Sequence, residues 1–156
     1  SHASDALAGD ILNHLEAGGL DVPVLASHSN FRAVREHARN LTDEIAREVI
    51  RRKGLIGLNF LREFLAPDNP EALAAHVEHG LALGAEEVLC FGADFFHTGS
   101  HPDKSREPFY FAQHENALCY QPILTELGKC LTEANIKRLA FENVMTFLER
   151  NWTGPA

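Results

Sequence analysis

The sequence predicts an α/β fold of parallel strands joined by crossover helices, and three observations carry that expectation. Apolar runs at 22–26, 55–60 and 87–92 are short and bounded by polar or turn residues, the pattern of strands buried on both faces. Segments with helical apolar spacing stand between them, and such alternation means parallel strands. The runs also end on chemistry-bearing residues: Ser27-His28-Ser29-Asn30 after the first, Asn59 in the second and Asp94 after the third. Ligands in folds of this class bind at the carboxyl ends of the strands.

Taken in order, Ser4 caps a helix with Asp5 in its first turn. Leu7, Ala8, Ile11, Leu12 and Leu15 follow at helical spacing until Gly18-Gly19. The first strand, 22–26, tolerates Pro23 near its start. Residues 31–37 read as a loop with a short helical turn. A second helix covers 42–53, with Thr42 as cap, Asp43 and Glu44 at the positive end, and Arg51, Arg52 and Lys53 at the negative end. Gly54 stops it, the second strand follows, and 61–67 read as a loop. Asn69 caps a third helix with Pro70 at its first position. Leu73, Val77 and Leu81 give that helix an apolar face, and Gly84 ends it. After the third strand comes a polar loop over 97–106. The remainder is helical: one segment from Gln121-Pro122 to Gly128, another from Thr132 toward Phe141, and a last short turn capped by Asn143.

The bulk properties narrow the function classes. The chain has 156 residues, 45% of them hydrophobic and 23% charged, which suits one domain with a real core. A net charge of −8 without a basic stripe argues against nucleic acid as a partner. No apolar run is long enough to cross a bilayer, and no signal-peptide pattern opens the chain. The chain begins on Ser rather than Met, as though a preceding strand had been removed. Cys90, Cys119 and Cys130 have no metal-binding spacing, and their odd number argues against a disulfide framework. Structural thiols in a reducing, cytoplasmic compartment are expected. Three strands are too few for a closed barrel of eight βα units, which needs about 250 residues. Three strands could form a small open sheet, but a start that reads as though a strand had been removed favours half a barrel, one domain over 1–156.

His28 stands where a metal ligand or a general base would stand, and eleven residues later Arg39 offers a planar fork suited to a carboxylate. His76 and His79 share one helix face, but neither a glutamate nor a third ligand lies at zincin spacing, so both read as structural. His97, His101 and His114 are expected in solvent.

Several segments carry a family resemblance. P-V-L-A-S-H-S-N-F-R-A-V-R-E-H-A-R-N-L-T-D-E, G-L-I-G-L-N-F and F-G-A-D-F resemble the membrane (renal) dipeptidase family of metallopeptidases. The opening S-H-A-S, the helix motif H-V-E-H, Y-Q-P-I-L-T-E-L and F-E-N-V-M-T-F-L extend it over nearly the whole chain, in the family's order. The resemblance implies that the chain is the C-terminal portion of a (β/α)8 barrel of the metal-dependent hydrolase kind, with the N-terminal half absent from it. Such a barrel holds two Zn2+ ions bridged by a hydroxide, cleaves dipeptides and is usually a homodimer.

By that resemblance His2 and His28 match metal-binding histidines at the ends of barrel strands five and six. Arg39 matches the arginine that holds the dipeptide's free carboxylate, and Asp94 the strand-eight aspartate that handles the proton. Asn59 is expected to line the substrate pocket. The family's His-x-Asp pair, its bridging glutamate and a further histidine belong to the N-terminal half. The chain would therefore supply two ligands to one metal and be incomplete alone. After Asp94 the family pattern D-F-D-G is replaced by Asp94-Phe95-Phe96-His97. That departure borders the site mouth and leaves open a related amidohydrolase acting on another small amide; a metal-free, non-catalytic barrel stays open because its ligands would lie in the absent half.

Overall fold

A three-stranded parallel sheet, ordered β1-β2-β3, organises the computed structural model, which describes residues 1–152. Helix α1 (Asp5–Ala17) starts where expected, because the Ser4 hydroxyl accepts the Leu7 N–H. Strand β1 is only Leu25–Ala26, shorter than the expected 22–26. It lies at the sheet edge and pairs with β2 alone. The expectation of burial on both faces is corrected there: Ala26 is buried, but the described residues leave the face that carries Leu25 uncovered, and Val22 is exposed as well.

Helix α2 (Asp43–Arg51) is capped by the Thr42 hydroxyl, which accepts from Ile45 N–H. Lys53 takes a left-handed φ of 51° to turn the chain into β2 (Leu55–Leu58), every residue of which is buried. The register pairs Leu25 with Leu55 and Ala26 with Ile56. Residues expected as a loop contain a short helix, α3 (Arg62–Leu65), which turns Phe64 and Leu65 into the core. Helix α4 (Ala72–Ala82) begins later than the Asn69 cap predicts. Asn69 instead closes a turn ahead of it, where its side-chain oxygen accepts Glu71 N–H and its carbonyl accepts Ala72 N–H. Strand β3 (Leu89–Phe91) pairs with β2 through Gly57–Cys90 and Leu58–Phe91.

The loop after β3 is built of 3-10 turns and leads to α5 (Tyr120–Leu127), then α6 (Glu133–Lys137), capped by Thr132. A π-helical segment, Arg138–Glu142, joins α6 to α7 (Asn143–Asn151). Asn143 therefore caps nothing: it is buried within continuous helix, and its amide donates to the Glu86 and Leu89 carbonyls at 2.9 and 2.8 Å.

The core gathers Phe31, Ile56, Leu58, Phe60, Leu65, Val77 and Leu89 between the sheet and helices α2, α4 and α7. His76 belongs to it as a structural residue. Its Nδ1 accepts Phe31 N–H at 3.2 Å and its Nε2 donates to the Leu65 carbonyl at 3.0 Å. His79 bonds Asp43 at 2.8 Å. All three cysteines are free, and burial pushes the Cys90 thiol up to about 12, the mark of an inert core thiol. No helix among the described residues is long and apolar enough to cross a membrane.

Candidate active site

The carboxyl ends of the three strands bring together His28, Asn59 and Asp94, and the N-terminal segment adds His2. The turn after β1 is shaped by glycine. A Cβ on Gly57 or Gly92 would stand 2.3 or 2.0 Å from the Ser27 carbonyl oxygen, so only glycine admits that carbonyl across the sheet end. The Ser29 N–H then donates to the Gly57 carbonyl at 2.6 Å and fixes the residue after His28.

Ser1 ties the N-terminal segment to the same turn. Its hydroxyl accepts the His28 N–H at 2.9 Å and the Ser29 hydroxyl at 3.1 Å. His2 is thereby carried to His28, and the two rings meet edge-on with centroids 5.1 Å apart.

His28 is oriented as a ligand would be. Its Nδ1 lies 2.9 Å from the Ser27 hydroxyl, while its Nε2 is buried with no hydrogen-bond partner. An Nδ1–H donated to Ser27 leaves the Nε2 lone pair free, the second-partner arrangement that fixes metal-binding imidazoles. Burial lowers the pKa of His28, against the pull of the Asp94 carboxylate and with help from the neighbouring His2 and the Arg39 guanidinium. The ring is thus held neutral, the form that ligates zinc. Two imidazoles do not make a complete site. Among the described residues no group of three or more His, Cys, Asp or Glu side chains could hold a metal ion.

Arg39 reaches the same edge from the loop 31–41. Its Nε donates to the Ser1 carbonyl at 3.3 Å and its guanidinium lies over the Phe64 ring, 5.4 Å from the centroid. Among the described residues it forms no ion pair with Glu36. Arg32 braces this loop by donating to the carbonyls of His37, Ala38 and Asn40 while pairing with Asp5.

Asp94 has a left-handed φ of 59°, unusual for a residue with a Cβ. The Tyr110 hydroxyl donates to its carbonyl and Asn59 Nδ2 donates to its Oδ2 at 3.1 Å. Asn59 is itself 1% exposed, so it meets Asp94 rather than the open rim.

Two residues here carry roles that the sequence did not assign to them. Asn30 stood inside the S-H-S-N motif, and its buried amide and the Asn59 backbone exchange two hydrogen bonds. Tyr110 sits in a loop with no periodic signal. Burial, then the Asp94 charge, pushes its phenol up to about 12, so it stays a donor. His114, expected in solvent, is buried against Phe60 and Phe111 because the long loop folds back over the sheet end.

A cavity of about 160 Å³ opens beside Arg39, lined by Ala8, Ile11, Val24 and Leu25. A larger one, about 720 Å³, lies on the loop side of Tyr110 between Phe96, Thr98, Pro108 and Phe109.

Comparison with known proteins is consistent across sequence and structure. Residues 1–151 match the family model for membrane dipeptidase, peptidase family M19. A stretch of 102 residues, 61% of the chain, is 28% identical to a protein encoded in the pqqA 5′ region of Klebsiella pneumoniae and covers 36% of it. Another of 100 residues, also 61% of the chain, is 29% identical to an uncharacterized dipeptidase of Schizosaccharomyces pombe (strain 972) and covers 23% of it.

Among solved structures the fold resembles the M19 metallopeptidase dipeptidase AC. The TM-score is 0.81 at 24% identity, over 99% of this chain and 44% of that one. It also resembles a Rhodobacter sphaeroides metallopeptidase liganded with a phosphinate mimic of the dipeptide L-Ala-D-Ala. That match has a TM-score of 0.77 at 24% identity, over 97% of this chain and 41% of that one. An amidohydrolase from Pseudomonas aeruginosa shares the fold, with a TM-score of 0.72 at 18% identity over 96% of this chain and 50% of that one. The chain spans less than half the length of the two metallopeptidases.

Proposed function

The chain belongs to the membrane dipeptidase family, peptidase family M19, and from that premise we propose that it forms the C-terminal half of a metal-dependent dipeptidase. In this reading β1, β2 and β3 are strands six to eight of a (β/α)8 barrel. The unpaired edge of β1 and the exposed Leu7, Ile11 and Leu25 support an N-terminal half packed against them. That half supplies the remaining metal ligands.

One observation carries the proposal. The unpartnered Nε2 of His28 faces the site beside the His2 ring, with Arg39 and Asp94 close enough to act on its charge. His2 and His28 hold zinc in the complete site. Bound zinc supplies a water acidified to near neutrality and polarises the scissile carbonyl. Arg39 clamps the free carboxylate of the dipeptide through its guanidinium, so the amide carbon lands within reach. Asp94 takes the proton of the attacking hydroxyl and passes it to the amine nitrogen as the C–N bond breaks.

A second reading rests on Phe95 and Phe96, which stand exposed immediately after Asp94 where the family pattern has Phe-Asp. They place aromatic surface at the mouth, which suits an acylated amino acid or another small amide. A panel of dipeptides, N-acyl amino acids and cyclic amides, given to the complete zinc-loaded protein, decides between the two. The proposal expects dipeptides to have the highest kcat/KM. Hydrolysis of N-acyl amino acids or cyclic amides with dipeptides left intact overturns it in favour of the second reading.

A further inference from the structure

We propose that Asn59 is a positioning residue: it grips one oxygen of the Asp94 carboxylate and leaves the other free to carry the proton. The inference rests on the reading of Asp94 as proton carrier and goes beyond it by naming what aims that carboxylate.

The orientation of the Asn59 amide is over-determined. Its Oδ1 accepts the Leu61 N–H at 2.7 Å, so its NH2 group must face the other way, and there it meets Asp94 Oδ2 at 3.1 Å. The Asn59 backbone is equally fixed. Its N–H donates to Asn30 Oδ1 at 3.0 Å, and its carbonyl accepts Asn30 Nδ2 at 3.0 Å. Asn30 and Asn59 are 0% and 1% exposed, so both amides act away from competing water.

Asp94, by contrast, is only half-buried. Its backbone is held by the Tyr110 hydroxyl at the carbonyl, but a carboxylate still turns about its side-chain bonds unless something grips it. Asn59 supplies the one hydrogen bond that the described residues make to that carboxylate, and it goes to Oδ2. Oδ1 accepts no hydrogen bond from the described residues. The amide thus divides its two groups: its oxygen serves the Leu61 backbone, and its NH2 group goes to Asp94. Such a restraint raises the turnover of bound substrate rather than its binding.

The test is a double-mutant cycle in the complete, metal-loaded protein, read in dipeptide hydrolysis. Asn59→Asp keeps the size and the acceptor for Leu61 N–H but faces Asp94 with a second carboxylate instead of a donor. It should lower kcat about tenfold or more and move KM by less than about threefold, with metal content unchanged. Asp94→Asn should lower kcat about a hundredfold or more. In the double variant the amide and carboxylate are exchanged, and kcat should be no lower than in Asp94→Asn alone, because a residue that acts through Asp94 has nothing further to lose.

If Asp94→Asn leaves kcat intact, the reading of Asp94 fails and the inference with it. If Asp94→Asn is impaired but Asn59→Asp matches the wild type, or lowers kcat equally in both backgrounds, only the positioning role is overturned. Should Asn59→Asp not fold, the smaller Asn59→Ser goes through the same cycle with the same two outcomes.

Discussion

The Ser27 carbonyl oxygen lies 2.0 Å from where a Cβ on Gly92 would stand, so the turn that presents His28 is built over the absence of a side chain on β3's continuation. Gly57, on β2, leaves the matching space at 2.3 Å. The atom in the way is backbone, which cannot rotate aside as a side chain could.

Gly92→Ala should therefore displace the Ser27–His28 turn, lowering thermal stability by about 1–3 kcal/mol and metal content with it. Melting and metal analysis on the same sample check this. A destabilised variant that still binds its full metal would show that the turn does not depend on that gap.

His76 makes stability sensitive to acid. Its Nδ1 accepts the Phe31 N–H only while unprotonated, and burial, opposed by the Leu65 carbonyl and reinforced by the neighbouring His79, pushes its pKa from 6.5 to about 4. Between those values the unfolded chain binds a proton that the folded chain refuses. The contribution is complete above pH 6.5 and is lost as pH falls toward 4, a change of about 3 kcal/mol. Denaturation midpoints should fall across that window in the wild type and much less in His76→Gln. Parallel acid profiles would remove His76 as the source.

Arg39 should govern binding more than turnover. Arg39→Ala should raise KM for dipeptides by about tenfold to a hundredfold, and Arg39→Lys by less, since lysine keeps the charge but not the fork. Dipeptides with an amidated C-terminus give the check. Wild type and variant should handle them alike, and an undiminished gap would mean that Arg39 does not meet the carboxylate.

Asn143 bears on stability alone. Asn143→Ala leaves the carbonyls of Glu86 and Leu89 without their donor and should destabilise the protein by about 1–3 kcal/mol. KM and kcat of the surviving folded enzyme should be unchanged, and a shift in either would contradict a purely structural role.

What could be read from the sequence was what local chemistry decides. Ser4 and Thr42 announce their helices because a hydroxyl there serves the next turn's N–H, and both do so in the structure. The three strand positions were legible from short apolar runs, and residues at their ends converge. Long-range pairing was not legible. Asn143 has the composition of a cap, yet its partners lie more than fifty residues away, across the sheet. Helix α3, the burial of His114 and the Tyr110–Asp94 bond all depend on a long loop folding back without any apolar period to foretell it. The exposure of Leu25 in β1 was not legible either, because it depends on which elements cover the assembled sheet.

The central claim is that His28 offers its free Nε2 to a metal. Metal content of the complete protein, measured beside that of His28→Ala purified under the same conditions, tests it most directly. The variant should lose metal and dipeptide hydrolysis together, while its fold is kept. A variant that retains the full metal content of the wild type would contradict the assignment of His28 as a ligand.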